Sequence, residues 1–110
     1  TGLWYQVVDK GDREDNWLES SCSALFIYTI AKAIKADCVD ESKYMHHLEK
    51  AYQGLLEHMV EEDETTLKLN GICIGTSAGK YEYYVQRPTS ENDLHGMGAF
   101  ILASMAINEL

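Results

Sequence analysis

Two stretches of this 110-residue chain carry no charge on any face. They are Ser21-Cys22-Ser23-Ala24-Leu25-Phe26-Ile27-Tyr28-Thr29-Ile30-Ala31 and Gly96-Met97-Gly98-Ala99-Phe100-Ile101-Leu102-Ala103-Ser104-Met105-Ala106-Ile107. Wound as helices, both are apolar or neutral all round, and such a helix is normally buried on every side. Between them lies a helix of the amphipathic kind. Tyr44, Leu48, Ala51, Tyr52, Leu55 and Met59 recur at helical spacing, with His46, Glu49, Lys50, Gln53, Glu57 and Glu61 largely on the opposite side. The order is buried, amphipathic, buried. Three helices cannot enclose one another completely, because each offers only a stripe to its neighbour. Further partners are required, from another chain or from sequence outside these residues.

Capping chemistry sets the boundaries. Asn16, followed by Glu19 at capping-box spacing, predicts a first helix over about 17–36, with Lys32 and Lys35 in the last turns where cations suit the macrodipole. Asp40 opens a second helix over about 41–61, and Ser90 or Asn92/Asp93 a third over about 94–109. Leu67–Ile74 and Tyr81–Val85 favour strand on either side of a Gly75–Gly79 turn, which predicts one hairpin over about 67–85. Residues 1–16 read as a loop, locally extended over Leu3–Val8. The fold class is all-α with one small β-hairpin, in a single domain without repeats or linkers.

Nine Lys and Arg against eighteen Asp and Glu leave a formal charge of −9, with no basic block. That argues against nucleic acid, whose phosphates must be met by clustered cations. No apolar run reaches the ~18 residues of a membrane span, and no basic-then-apolar start marks a signal peptide. Cys22, Cys38 and Cys73 are odd in number and form no CxxC, so neither a disulfide framework nor a zinc site is expected. An acidic, soluble, cytoplasmic protein is the expectation. His47 and His58 share a helix face three turns apart, too far for one metal ion, and there is no P-loop, dinucleotide motif or nucleophile elbow.

The opening loop holds the chemistry. Trp4, Tyr5 and Gln6 precede Asp9-Lys10-Gly11-Asp12-Arg13-Glu14-Asp15-Asn16-Trp17. Rings beside Asp, Arg, Asn and Gln suit a carbohydrate, and the Arg13 fork would match a sugar carboxylate. The same residues also suit a solvated acidic loop with packed tryptophans and a locally paired Arg13. Asp9, Asp12, Glu14, Asp15 and Glu19 could furnish the acid/base pair of a glycoside hydrolase, but closeness in sequence does not set the separation that pair needs. Capping explains Glu19 better.

Gly2–Asp9 and Asn16–Ala24 resemble the late part of unsaturated rhamnogalacturonyl hydrolases, glycoside hydrolase family 105. Asn70-Gly71-Ile72-Cys73, Tyr81-Glu82-Tyr83-Tyr84 and Glu91–Phe100 continue the likeness in order. The resemblance implies an (α/α)6 barrel, of which residues 1–110 would be a C-terminal part, the first and third helices inner and the second outer. It further implies removal of a 4,5-unsaturated galacturonyl residue from a pectin-derived oligosaccharide by hydration of the vinyl ether. The family's catalytic Asp matches no residue here, and neither metal nor organic cofactor is expected. Trp4, Gln6, Arg13, Trp17 and Tyr83 are the cleft-lining residues that transfer. The implied partners are an unsaturated uronyl oligosaccharide and helices covering the apolar faces, from the N-terminal part of the barrel or a second copy. A non-catalytic helical oligomerisation or partner-binding module is the alternative.

Overall fold

The computed structural model describes residues 1–110 as four helices and two minimal two-stranded sheets. Helix α1 spans Ser20–Lys35, α2 Glu41–Met59, the short α3 Tyr81–Val85 and α4 Leu94–Asn108. Strand β1 (Val60–Glu62) pairs antiparallel with β2 (Leu67–Leu69), and β3 (Ile72–Cys73) with β4 (Thr89–Ser90). No helix is long and apolar enough to cross a membrane.

Four expectations are corrected. Helix α1 starts at Ser20 instead of Trp17, because its cap is Glu19 and not Asn16. Asn16 ties the preceding loop together: its Oδ1 accepts from the amides of Val7 and Trp17, and its Nδ2 donates to the carbonyls of Val7 and Lys10. The single 67–85 hairpin is replaced by two separate pairings. Leu67–Leu69 folds back on the three residues after α2, across a turn in which Asp63 Oδ1 accepts from the amides of Thr65 and Thr66. Those hydrogen bonds hold the exposed Asp63 carboxyl below its usual range. The Tyr81–Val85 segment is helical: Lys80 O accepts from Tyr83 and Tyr84, and side chains of the opening loop engage the carbonyls at its far end. The extended reading of Leu3–Val8 reduces to one bridge, Tyr5 to Leu18.

Helices α1 and α4 lie side by side and parallel. Near their N-termini, α1 receives Gly71 O on the Ser20 amide, and α4 presents Gly96 to Ile72 so closely that an added Cβ would meet Ile72 Cγ1 at 2.6 Å. At their C-termini, Glu109 pairs with Lys32 and Lys35 at 3.5 and 3.4 Å, which holds its carboxyl below the usual value. Buried alanines (Ala24 and Ala31 on α1, Ala99, Ala103 and Ala106 on α4) let the two backbones approach. Helix α2 returns against α1 and buries Leu48, Ala51, Leu55 and Met59, while His46, Glu49, Lys50, Gln53 and Glu57 face water as the spacing predicts. Tyr52 reaches across to donate to Ser104 Oγ at 3.0 Å.

The other sides of α1 and α4 remain uncovered within this chain. Leu25 is 48% exposed, Ile101 52% and Met105 57%, with Phe26 and Leu102 beside them in sequence also open. These helices thus carry a buried small-residue stripe and an open large-residue stripe. Asn92 sets the entry to α4 in the left-handed region, at φ 55°, where Asn is among the tolerated residues. Its side chain accepts from Leu69 N and donates to Leu67 O, pinning β2 to the start of the helix.

The alanine seam leaves no room for growth. Ala103→Leu is expected to lower stability by about 1–3 kcal/mol through overpacking, read from the urea midpoint. An unchanged midpoint would show that α1 and α4 are not in close contact.

Candidate functional site

Because α1 and α4 are parallel, the segments leading into them lie at the same end of the molecule. Those segments are residues 1–19 and 74–93, and every cleft-lining residue expected from the sequence belongs to one of them. Glu19 ties the first of them to Cys73, the residue that precedes the second. Its carboxylate is 3% exposed and faces no cation. Oε2 accepts from the amides of Ser21 at 3.0 Å and Cys73 at 2.9 Å, Oε1 from the amide of Cys22 at 2.7 Å, and the Ser21 hydroxyl donates to both oxygens. The backbone carbonyl of the same residue accepts from Ser23 Oγ at 2.7 Å. A buried carboxylate is sustained by directed donors of this kind.

Cys22 and Cys73 flank it. Burial first, and then the Glu19 charge, push the Cys22 thiol up to about 12. Cys73 is raised chiefly by burial, so neither thiol is a ready nucleophile. Ser20, next to Glu19, has a fully buried hydroxyl with no hydrogen-bond partner.

The structure brings Gln6, Arg13 and Trp17 to the seam between the two segments and keeps Tyr83 within the second, and each of the four makes an internal contact. Gln6 Nε2 donates to Tyr84 O at 3.1 Å and to Cys73 Sγ at 3.2 Å. Trp17 Nε1 donates to Val85 O at 3.0 Å. Tyr83 sits on α3, with its hydroxyl accepting from Ser77 N and in reach of Ser77 Oγ; those bonds draw its pKa below the ordinary value. Arg13 lies over the ring of Tyr81, 4.6 Å from its centroid. Trp4 stands apart from that seam: its ring packs edge-on against Phe26 at 5.0 Å, at the border of the open stripe of α1.

Two roles escaped sequence reasoning: Glu19 as the cap itself with a reach to Cys73, and Tyr81 as the partner of Asp15. Glu does not rank among the common N-caps, and its reach to Cys73, 54 residues away, leaves no local trace. Tyr81 donates its hydroxyl to Asp15 Oδ1 at 2.5 Å; burial and the Asp15 carboxylate raise its pKa to about 12. A shallow open depression of about 120 Å³ lies elsewhere, on the β1–β2 hairpin among Glu61, Glu62, Asp63, Thr66 and Lys68. No hydrophobic residue lines it, and none of the cleft-lining candidates does either.

With this geometry in view, similarity to other proteins becomes decisive. The family model described as Glycosyl Hydrolase Family 88 matches residues 1–110. The chain belongs to Glycosyl Hydrolase Family 88. The family 88 chain is also similar in structure to a family 105 glycoside hydrolase from C. acetobutylicum ATCC 824, with 32% identity and a TM-score of 0.92 over 98% of this chain and 32% of that one. A possible member of the GH105 family from Salmonella enterica serovar Paratyphi A superimposes at TM-score 0.77 with 28% identity, over 99% of this chain and 27% of that one. Among curated proteins, Protein Atu3128 of Agrobacterium fabrum is 31% identical over 93% of this chain and 49% of its own length. The family 88 chain therefore spans about half the length of that relative and about a third of the structural ones. These matches bear out the resemblance to family 105 glycoside hydrolases.

Glu19 and Ser20 separate the two faces of polar burial. Glu19→Ala strands three amides and is expected to cost about 3 kcal/mol or more, against the ~1 kcal/mol of an ordinary cap. Ser20→Ala removes an unpartnered hydroxyl and is expected to be neutral or to stabilise by about 1 kcal/mol. Chemical denaturation of both variants checks the pair, and a Ser20→Ala loss as large as that of Glu19→Ala would reveal a missing partner for the Ser20 hydroxyl.

Proposed function

We propose that this chain is the C-terminal part of an (α/α)6-barrel glycosidase that removes 4,5-unsaturated galacturonyl residues from pectin-derived, rhamnogalacturonan-type oligosaccharides. The observation that carries the reading is the family 88 match along all 110 residues, joined to a TM-score of 0.92 with a family 105 glycoside hydrolase. The open stripes on α1 and α4 support the barrel: two parallel helices with large apolar residues on their uncovered sides suit an inner ring continued by further helices. In this arrangement α1 and α4 are inner and α2 is outer.

The reaction proposed is hydration of the vinyl ether, in which an Asp protonates the alkene carbon and activates water. The resulting hemiketal opens and expels the partner sugar. No Asp of this chain is assigned that role, so the chain by itself is inactive. Its contribution is one side of the cleft, where Trp4, Gln6, Arg13, Trp17 and Tyr83 line or frame the sugar site. Gln6 and Trp17 frame it by holding α3 in place, since their polar atoms already engage Tyr84 O and Val85 O.

A non-catalytic helical module is the second reading, favoured by the same open stripes. The polypeptide of natural length that contains this chain decides between them. Incubated with an unsaturated galacturonyl–rhamnose disaccharide, it is expected to abolish the alkene absorbance. Trp17→Ala is expected to lower kcat/KM about tenfold or more by releasing α3. The 110 residues alone are expected to show no turnover and to bind an apolar dye or self-associate. Turnover absent from the natural-length protein, with stable oligomers in its place, would favour the module.

A further inference from the structure

The two arginines of the chain are treated differently by the fold. Arg87 is tied to the backbone: its Nε donates to Gly75 O and one terminal nitrogen to Ile74 O, both at 3.1 Å, while its guanidinium lies 5.4 Å from the Tyr83 ring centroid. Arg13 stands in sequence beside Asp12, Glu14 and Asp15, yet its guanidinium forms no ion pair and no hydrogen bond. Its one partner is the face of Tyr81, 4.6 Å away. The reason is visible in the same cluster. The Tyr81 hydroxyl donates to Asp15 Oδ1, so an acid that would otherwise quench Arg13 is engaged by the residue on which Arg13 stacks. Stacking uses the flat face of a guanidinium and leaves its N–H edge free, the edge that matches a carboxylate in bidentate fashion.

The support beneath this cluster is firm. Tyr81 opens α3, and the far end of that helix is held to the opening loop by Gln6 and Trp17. Arg13 and Asp15 come from that same loop, so the two segments meet at both ends of α3. The whole assembly sits at the end of the molecule where α1 and α4 begin. With Asp12, Glu14 and a chain charge of −9 around it, long-range attraction for anions is weak there. An acid group is held at Arg13 by directed bonds or not at all.

We infer that Arg13 is the specificity-determining contact for the uronyl carboxylate, and that Tyr81, with Asp15, is the positioning residue that keeps its fork free and aimed. The inference rests on the proposed uronyl substrate. It adds a definite selectivity: free acid over the neutral ester of the same sugar.

The test uses the natural-length polypeptide, an unsaturated galacturonyl disaccharide and the methyl ester of its uronyl group, each followed by loss of alkene absorbance. The native protein is expected to prefer the acid by about tenfold or more in kcat/KM. Arg13→Ala is expected to raise KM for the acid about tenfold with kcat little changed, and to leave the ester unaffected. Tyr81→Leu removes the stacking face and should reproduce that pattern, whereas Tyr81→Phe keeps the ring but frees Asp15 to pair with Arg13, and should raise KM for the acid by only about threefold. An acid preference that survives Tyr81→Leu overturns the positioning role. Should Tyr81→Leu fail to fold, the exposed Arg13→Ala decides, and an unchanged acid preference there overturns the inference. Equal turnover of acid and ester by the native protein overturns the carboxylate assignment alone. Turnover of neither overturns the uronyl reading beneath it.

Discussion

One buried carboxylate holds the functional end of this chain together. Glu19 starts α1 by capping it, and through Cys73 it fixes the strand pair that leads into α3 and α4. With no cation nearby, its charge is balanced by amide and hydroxyl dipoles alone. Such an arrangement is unforgiving, because three of the donors are backbone amides that each need an acceptor. Helix start, strand position and loop path are therefore solved together. Gln6, Trp17 and Arg13 then find α3 within reach because Glu19 has already set the distance between their segments.

The helices were legible because their signals are local. Asp40 and Asp93 cap α2 and α4 as their residue types suggest, and the amphipathic face of α2 follows its periodicity. The absence of a polar face on α1 and α4 also carried information, since it announced more buried surface than three helices can supply. What the structure adds is that each is buried on its alanine side and open on its large-residue side. Sequence periodicity cannot separate two apolar faces of one helix.

The connections were not legible, for the opposite reason. Tyr81–Val85 has strand-like residues, but a strand needs an edge to pair with, and the donors that face it are side chains of Gln6 and Trp17. Leu67–Leu69 pairs backward with the end of α2 because Asp63 closes that turn first. The site residues shared this ambiguity. Trp4, Gln6, Arg13, Trp17 and Tyr83 could be named from composition and resemblance, yet their tasks divide into packing, framing and presenting only in three dimensions. Tyr81 and Asp15, which decide what Arg13 is free to do, lie 66 residues apart and show no motif.

The reach of these hydrogen bonds orders events during synthesis. The opening loop and α1 leave the ribosome before the rest of these residues, and Glu19 lacks its third amide until Cys73 has followed. Trp17 and Gln6 lack their acceptors until Val85 and Tyr84 have been made. Throughout that interval the two polar side chains are served by water, and of the helices in this chain only α2 lies against α1. Of the four helices α4 is made after the others, and it covers the alanine side of α1 once the loop donors have found their partners. The loop end and the helical body are completed together, by the residues from Tyr84 onward.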